Sequence, residues 1–390
     1  GASLAVESVF ESSEATRFNP ILLAAFAVAS ASAAVAFIFM ALKNPHGEWD
    51  AWAVYNMKAR FFFRAGDNWR DLFSEPMRWT STDYPLLIPA SIAGLWTLIG
   101  TETLVIPSAV AMIFTLATAG LLSSSISALR SKNQGLLAGL ILLCTPYFLI
   151  HGADLYCDIP VGFFFLATIA LFSLQTRMPD GDHRFLILAG ITAGLAAWTK
   201  NEGLMFLVAV VVARFLTLVP RNGIRPYLRQ MLYFGAGALP SLALILYLKL
   251  AFAQSSLLLA QPAGRKLSDV LLDPARYRLI AESFFKESYG FGSWAISIVP
   301  FLLLYMIIVG VKIEKREKAS VATALIILSI MLFGFFMIYV ISPRDLVWHI
   351  NVSLNRLYTQ MWPSFIFVFF MIARTPEACL ASNKPAPASL

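Results

Sequence analysis

The chain has 390 residues, of which 58% are hydrophobic and 14% charged, with a mean hydropathy of +0.70. That balance leaves too little polar surface to coat a soluble domain of this length, so lipid is the expected solvent. The net charge of +7 sits in short basic clusters between apolar runs. This pattern orients a membrane protein, and nucleic acid is not expected as a partner. Cys144, Cys157 and Cys379 show no Cys-x-x-Cys spacing, which points away from a disulfide framework or a zinc site.

In chain order, residues 1–19 are acidic at the start and lack a basic n-region, so they read as a cytoplasmic tail and not as a signal peptide. A spanning helix needs about 20 apolar residues. Ten runs meet that or fall slightly short: Ile21–Leu42, Leu104–Leu129, Gly135–Ile150, Ile159–Leu174, Phe185–Trp198, Leu204–Val219, Leu232–Leu250, Trp294–Val311, Val321–Ile341 and Tyr358–Ala373. They make residues 20–375 one transmembrane domain, with 376–390 as a second cytoplasmic tail. Residues 43–103 form a first external loop with juxtamembrane helices, and 253–292 a second long external loop. Tyr84–Gly100 carries two prolines and starts in a polar stretch, so it is expected to lie at the interface without crossing.

With the amino terminus inside, the short loops holding Arg130/Lys132, Arg177/Arg184, Arg221/Arg225/Arg229 and Lys312/Lys315/Arg316/Lys318 all fall on the cytoplasmic side. The same parity collects the unusual ionisable groups outside: Glu48, Asp50, Asp83, Asp154, Asp158, Lys200, Glu202, Arg344, His349 and Arg356. Charges at the ends of apolar spans are costly and mark function.

Gly47-Glu48-Trp49-Asp50-Ala51-Trp52 follows the first span directly. Two carboxylates one residue apart, flanked by headgroup-level tryptophans, suit an inverting sugar transfer. One takes the proton of an acceptor hydroxyl while its neighbour orients the acceptor or holds a cation. The competing reading makes Asp50 the N-cap of a helix Ala51–Arg64. That helix mixes aromatics with Lys58, Arg60 and Arg64 and is expected to lie in the interface plane, its cations on lipid headgroups or one of them on a lipid-linked phosphate. Asp158 sits before Pro160 like an ordinary helix start, and Lys200 and Glu202 interrupt two short apolar runs like a structural ion pair. Near the carboxyl end, His349 and Arg356 stand seven residues apart, two turns on one face of a helix. A departing phosphate needs fixed positive charge, which Arg356 supplies best.

These stretches, Glu48-Trp49-Asp50, Asp83-Tyr84-Pro85-Leu86-Leu87, Asp158-Ile159-Pro160, Thr199-Lys200-Asn201-Glu202-Gly203 and Trp348-His349…Arg356-Leu357, resemble the GT-C superfamily of membrane glycosyltransferases. The closest likeness is to the bacterial branch of aminoarabinose transferases and protein mannosyltransferases, over nearly the whole chain. The resemblance implies an all-α polytopic bundle of about ten transmembrane helices in the inner membrane, with interfacial helices in the first external loop. It also implies a polyprenyl-phosphate monosaccharide donor, inversion at the anomeric carbon and a periplasmic site. By position Asp50 is the base and Glu48 its partner. Arg356, Lys200, His349 and Lys58 are the candidates for the donor phosphate, with Asp83, Asp158 and Glu202 around the sugar or acceptor. A divalent cation, magnesium or manganese, would have Glu48, Asp50 and Asp158 as ligands. The acceptor, whether glycan, lipid or protein, stays open, because many members recognise it with a carboxyl-terminal soluble domain and this sequence stops shortly after Arg374.

Two rival readings stand beside this one. A lipid-linked sugar transporter or flippase would show internal repeats, and none is visible. An O-antigen-ligase-like enzyme would concentrate cations in one outer loop, as Arg265, Lys266, Arg276, Arg278 and Lys286 partly do.

Overall fold

The computed structural model describes residues 18–178, 182–252 and 267–382. Arg265, Lys266 and most of both tails lie outside the described residues. Sixteen α-helices dominate the described residues: α1 Pro20–Lys43, α2 Met57–Arg64, α3 Leu87–Ile99, α4 Val105–Leu129, α5 Lys132–Leu143, α6 Pro146–Ala153, α7 Asp158–Gln175 and α8 Arg184–Thr199 come first. They are followed by α9 Asn201–Asn222, α10 Ile224–Ala251, α11 Leu267–Leu271, α12 Pro274–Gly290, α13 Val299–Val309, α14 Lys318–Ile341, α15 Leu346–Ile372 and α16 Pro376–Ser382. Among the described residues the only β pairing is one isolated bridge between Val311 and Ala373.

The protein is a multi-pass membrane protein, but with fewer full-length spans among the described residues than the ten expected. Six helices are long and apolar enough to cross, α1, α4, α7, α9, α10 and α14, or seven if α5 and α6, bent by 60° at their break, count as one. The shortfall has physical causes. Helix α8 has 16 residues and α13 has 11, which at 1.5 Å per residue reach roughly 24 and 16 Å against a hydrocarbon core of about 30 Å. Helix α15 is long enough at 27 residues, but its first half carries His349, Asn351, Ser353, Asn355 and Arg356. The segment expected at the interface contains only the 13-residue α3.

Helix α7 is the axis of the bundle, walled by α4, α8, α14 and α15, and most of its residues are buried. Helices α8 and α10 approach most closely where Gly190 meets the Phe234 carbonyl and Gly237 meets the Ile187 carbonyl, with no room for a Cβ at either glycine. Small residues permit such close backbone approach where lipid supplies no hydrophobic drive.

The two ends of the bundle differ in character. At one end Glu317 is fully buried and receives the guanidinium groups of Arg130, at 3.3 Å, and Arg177. Arg130 also donates to the carbonyls of Lys312 and Ala373. Three basic segments far apart in sequence are thereby tied around one carboxylate. Because α7 and α15 run toward this end and α14 runs away from it, their other ends gather Asp158, Ser342 and the start of α15 at the opposite end.

The first loop is compact at that opposite end. A π-helical turn, Ala51–Asn56, leads into α2, and Ala53, Val54, Tyr55 and Ala59 pack on Ile88, Ile92 and Trp96. The cations of α2 find partners within the protein. Arg60 and Arg64 both pair with Glu102, at 2.8 and 2.6 Å, and Lys58 is buried.

Candidate active site

Asp50 sits in the first turn after the α1 loop with helical dihedrals and makes no side-chain capping bond. The N-cap alternative is therefore not what its side chain does. Its Oδ2 lies 2.7 Å from Nη2 of Arg356. Arg356, nearly three turns into α15, also holds Oδ2 of Asp158 from Nε and Nη2, at 3.1 and 3.0 Å, and its guanidinium lies 3.9 Å from the centre of the Tyr156 ring. One arginine thus bridges two carboxylates from separate loops.

Two backbone devices set that bridge. The Glu48 amide donates to the Asp154 carbonyl at 3.2 Å, joining the loop of Asp50 to the loop of Asp158. Gly47 makes the approach possible at φ +69°, where a Cβ would lie 2.5 Å from that same carbonyl oxygen.

Asp158 is fully buried and saturated with donors. Lys200 Nζ lies at 2.9 Å and Gln360 Nε2 at 2.6 Å from its Oδ1. Lys200 is at the break between α8 and α9, where it also meets Glu202 at 3.0 Å. A buried carboxylate persists as a charge only when its lone pairs are met in this way. Asp83 accepts from Asn201 at 3.1 Å, while its carbonyl accepts from Lys249 at 2.9 Å. His349 pairs through Nδ1 with the Ser342 hydroxyl at 2.8 Å.

Asp50, Asp83, Asp158, Lys200, Glu202, His349 and Arg356 all line one cavity of about 470 Å³. That volume lies in the range of small-molecule sites. Trp49, Trp79 and Trp348, each roughly half exposed, stand around it with Tyr84 and Tyr156.

Two sequence candidates are not on this wall. Glu48 is exposed and accepts from Asn44 at 3.3 Å. Lys58 is fully buried and donates at 2.6 Å to the carbonyl of Ser81, behind the turn that carries cavity residues Ser81 and Asp83. Burial pushes its ammonium down to about 7, against the pull of Asp83.

The expected metal ligands do not fit a metal. Among the described residues no three His, Cys, Asp or Glu side chains come together as a ligand set. Arg356 already stands between Asp50 and Asp158, and Glu48 is exposed and bonded to Asn44.

Sequence reasoning left several cavity residues without a role. Gln360, fully buried behind the cavity wall between Asp158 and Glu202, had no signal inside an apolar run. Asn201 and Tyr156 flanked charges that were noticed. Arg344 was grouped with the outer charges and given no task. It lines the cavity, is exposed, and its guanidinium rests over the Trp348 ring at 5.3 Å with no carboxylate partner among the described residues.

Residues 83–248 match the family described as dolichyl-phosphate-mannose-protein mannosyltransferase. The matched stretch runs from Asp83 through Asp158, Lys200 and Glu202. No curated protein matches the sequence significantly. Among solved structures, ArnT from Cupriavidus metallidurans bound to undecaprenyl phosphate is similar with a TM-score of 0.51 and 14% identity, over 88% of this chain and 59% of that one. The apo form of the same protein gives a TM-score of 0.48 and 15% identity, over 80% of this chain and 54% of that one. The chain therefore spans under two thirds of the length of these relatives. The bundle has the GT-C fold that the first of these structures shares, and residues 83–248 carry the mannosyltransferase family's pattern.

Proposed function

We propose that the chain is a membrane glycosyltransferase that moves a monosaccharide from a polyprenyl-phosphate carrier to an acceptor hydroxyl, with inversion, at the periplasmic face of the inner membrane. The observation that carries this reading is the pair Asp50–Asp158 held by Arg356 on the wall of one cavity. Similarity to ArnT, whose structure holds undecaprenyl phosphate, and the mannosyltransferase family match support the donor class.

The two carboxylates have different tasks. Asp158 has every oxygen engaged and serves as the buried counter-ion that fixes Arg356 and Lys200. Asp50 gives only Oδ2 to Arg356, which leaves Oδ1 for the acceptor. In the step, Oδ1 takes the proton of the acceptor hydroxyl while that oxygen bonds to the anomeric carbon from the face opposite the phosphate. The anomeric carbon–oxygen bond breaks, its electron pair stays on the phosphate, and polyprenyl phosphate departs. Arg344 is the cation free to receive that phosphate as charge grows on it, with His349 beside it. Arg356 and Lys200 act by holding carboxylates, and Lys58 by holding the Ser81 turn.

The test is turnover of Asp50→Asn at matched expression, with carrier-lipid binding measured separately. Loss of a positioned base predicts a fall on the order of a hundred- to ten-thousand-fold with binding retained. Turnover near that of the native chain would pass the role of base to another group.

A further inference from the structure

The second long external loop carries a buried cation that the transfer step does not use. Arg276 lies in the first turn of α12, where Asp273 caps the helix by accepting from the amides of Ala275 and Arg276. Its guanidinium is buried and reaches across to the end of α14. Nε and Nη2 donate to the Tyr339 carbonyl at 3.2 and 2.7 Å, Nε to Val340 at 2.7 Å, and Nη2 to Ser342 at 2.9 Å. Carbonyls at a helix carboxyl end lack intrahelical donors. A forked, permanently charged guanidinium meets them in both geometry and sign.

The contacts continue toward the cavity. The Ser342 hydroxyl pairs with His349 Nδ1 at 2.8 Å and accepts from the backbone amide of Arg344 at 3.3 Å. Arg344 and His349 both line the cavity. An unbroken set of hydrogen bonds therefore runs from α12 through the end of α14 to the turn that presents Arg344.

We propose that Arg276 is a positioning residue for the donor site: from the second external loop it clamps the end of α14 and so aims the Arg344 guanidinium at the carrier phosphate. The proposal rests on Arg344 being the phosphate cation, as assigned above. A staple that merely stabilised α14 would leave phosphate binding by folded protein unchanged.

The probe is undecaprenyl phosphate, whose affinity for the purified full chain in detergent needs no knowledge of the sugar. Four proteins form a cycle: native, Arg276→Lys, Arg344→Ala and the double variant. Arg276→Lys keeps the charge, but its single, shorter-reaching nitrogen lacks the planar fork that meets the three carbonyls from Nε and Nη2. Each single change is expected to weaken binding about ten-fold, and the double variant to bind within about two-fold of the weaker single, because the two residues act through one contact. Ser342→Ala, which leaves Arg276 in place, is expected to weaken binding in the same non-additive way with Arg344→Ala, and decides the matter if Arg276→Lys does not fold. If Arg344→Ala alone leaves affinity unchanged, the phosphate assignment fails and the proposal falls with it. If Arg344→Ala weakens binding while Arg276→Lys and Ser342→Ala do not, or their effects multiply with it, the proposal alone is overturned.

Discussion

Asp158 opens a spanning helix, and an acid in a first turn is the commonest of placements. Its place before Pro160 also reads as an ordinary helix start, yet its side chain is the most heavily bonded carboxylate in the site. What was legible at this scale was residue type at the end of an apolar run, which located Asp50, Asp83, Asp158, Lys200, Glu202, His349 and Arg356 on one cavity. What was not legible was pairing, because Arg356 and Asp158 are joined across 198 positions. Lys58 and Arg356 were both read as candidates for the donor phosphate for that reason. Asp154 allows a test at the same scale. It lies in the loop ahead of α7, where burial, reinforced by the Glu48 carboxylate and opposed by Arg356, pushes it up from 3.8 to about 7. A carboxyl raised on folding contributes its full stability below about pH 4 and loses it as pH rises through about 7. The thermal midpoint of the native chain, measured against that of Asp154→Asn, should therefore fall between those pH values. Parallel pH curves for the two proteins would mean that Asp154 is not desolvated as described.

Helix lengths were less legible than helix positions. Apolar runs announce where a helix is, but hydropathy cannot see a bend such as the 60° break between α5 and α6, nor that α8 is short yet buried on several sides. The close crossing of α8 and α10 follows from glycines that a hydropathy scan scores as neutral. Gly190→Leu should force the two backbones apart and cost about 1–3 kcal/mol, the usual scale of overpacking. Gly235→Leu on α10, where a Cβ meets nothing within 4 Å, should leave the melting temperature in detergent unchanged. Equal effects of the two substitutions would show that the α8–α10 contact is not the tight one.

At the scale of the whole molecule, the charge pattern carried most of the information. Loops read as sharing one side through their Arg and Lys content include Arg130, Arg177 and the Lys312–Lys318 segment, and these converge around Glu317 at the end away from the cavity. The proposed orientation puts that end in the cytoplasm, as the positive-inside rule expects. A lone cysteine at Lys315, in a chain with Cys144, Cys157 and Cys379 replaced by serine, should escape an impermeant thiol reagent added to intact cells. Labelling there would reverse the orientation. The central claim is the chemistry itself, and it is tested most directly by giving the purified chain radiolabelled monosaccharides on a polyprenyl monophosphate and on a polyprenyl diphosphate. Glycosyl transfer as proposed predicts consumption of a monophosphate donor with release of polyprenyl phosphate, and loss of that activity in Asp50→Asn. Consumption of the diphosphate donor alone, or movement of the lipid across a bilayer with its sugar still attached, would contradict it.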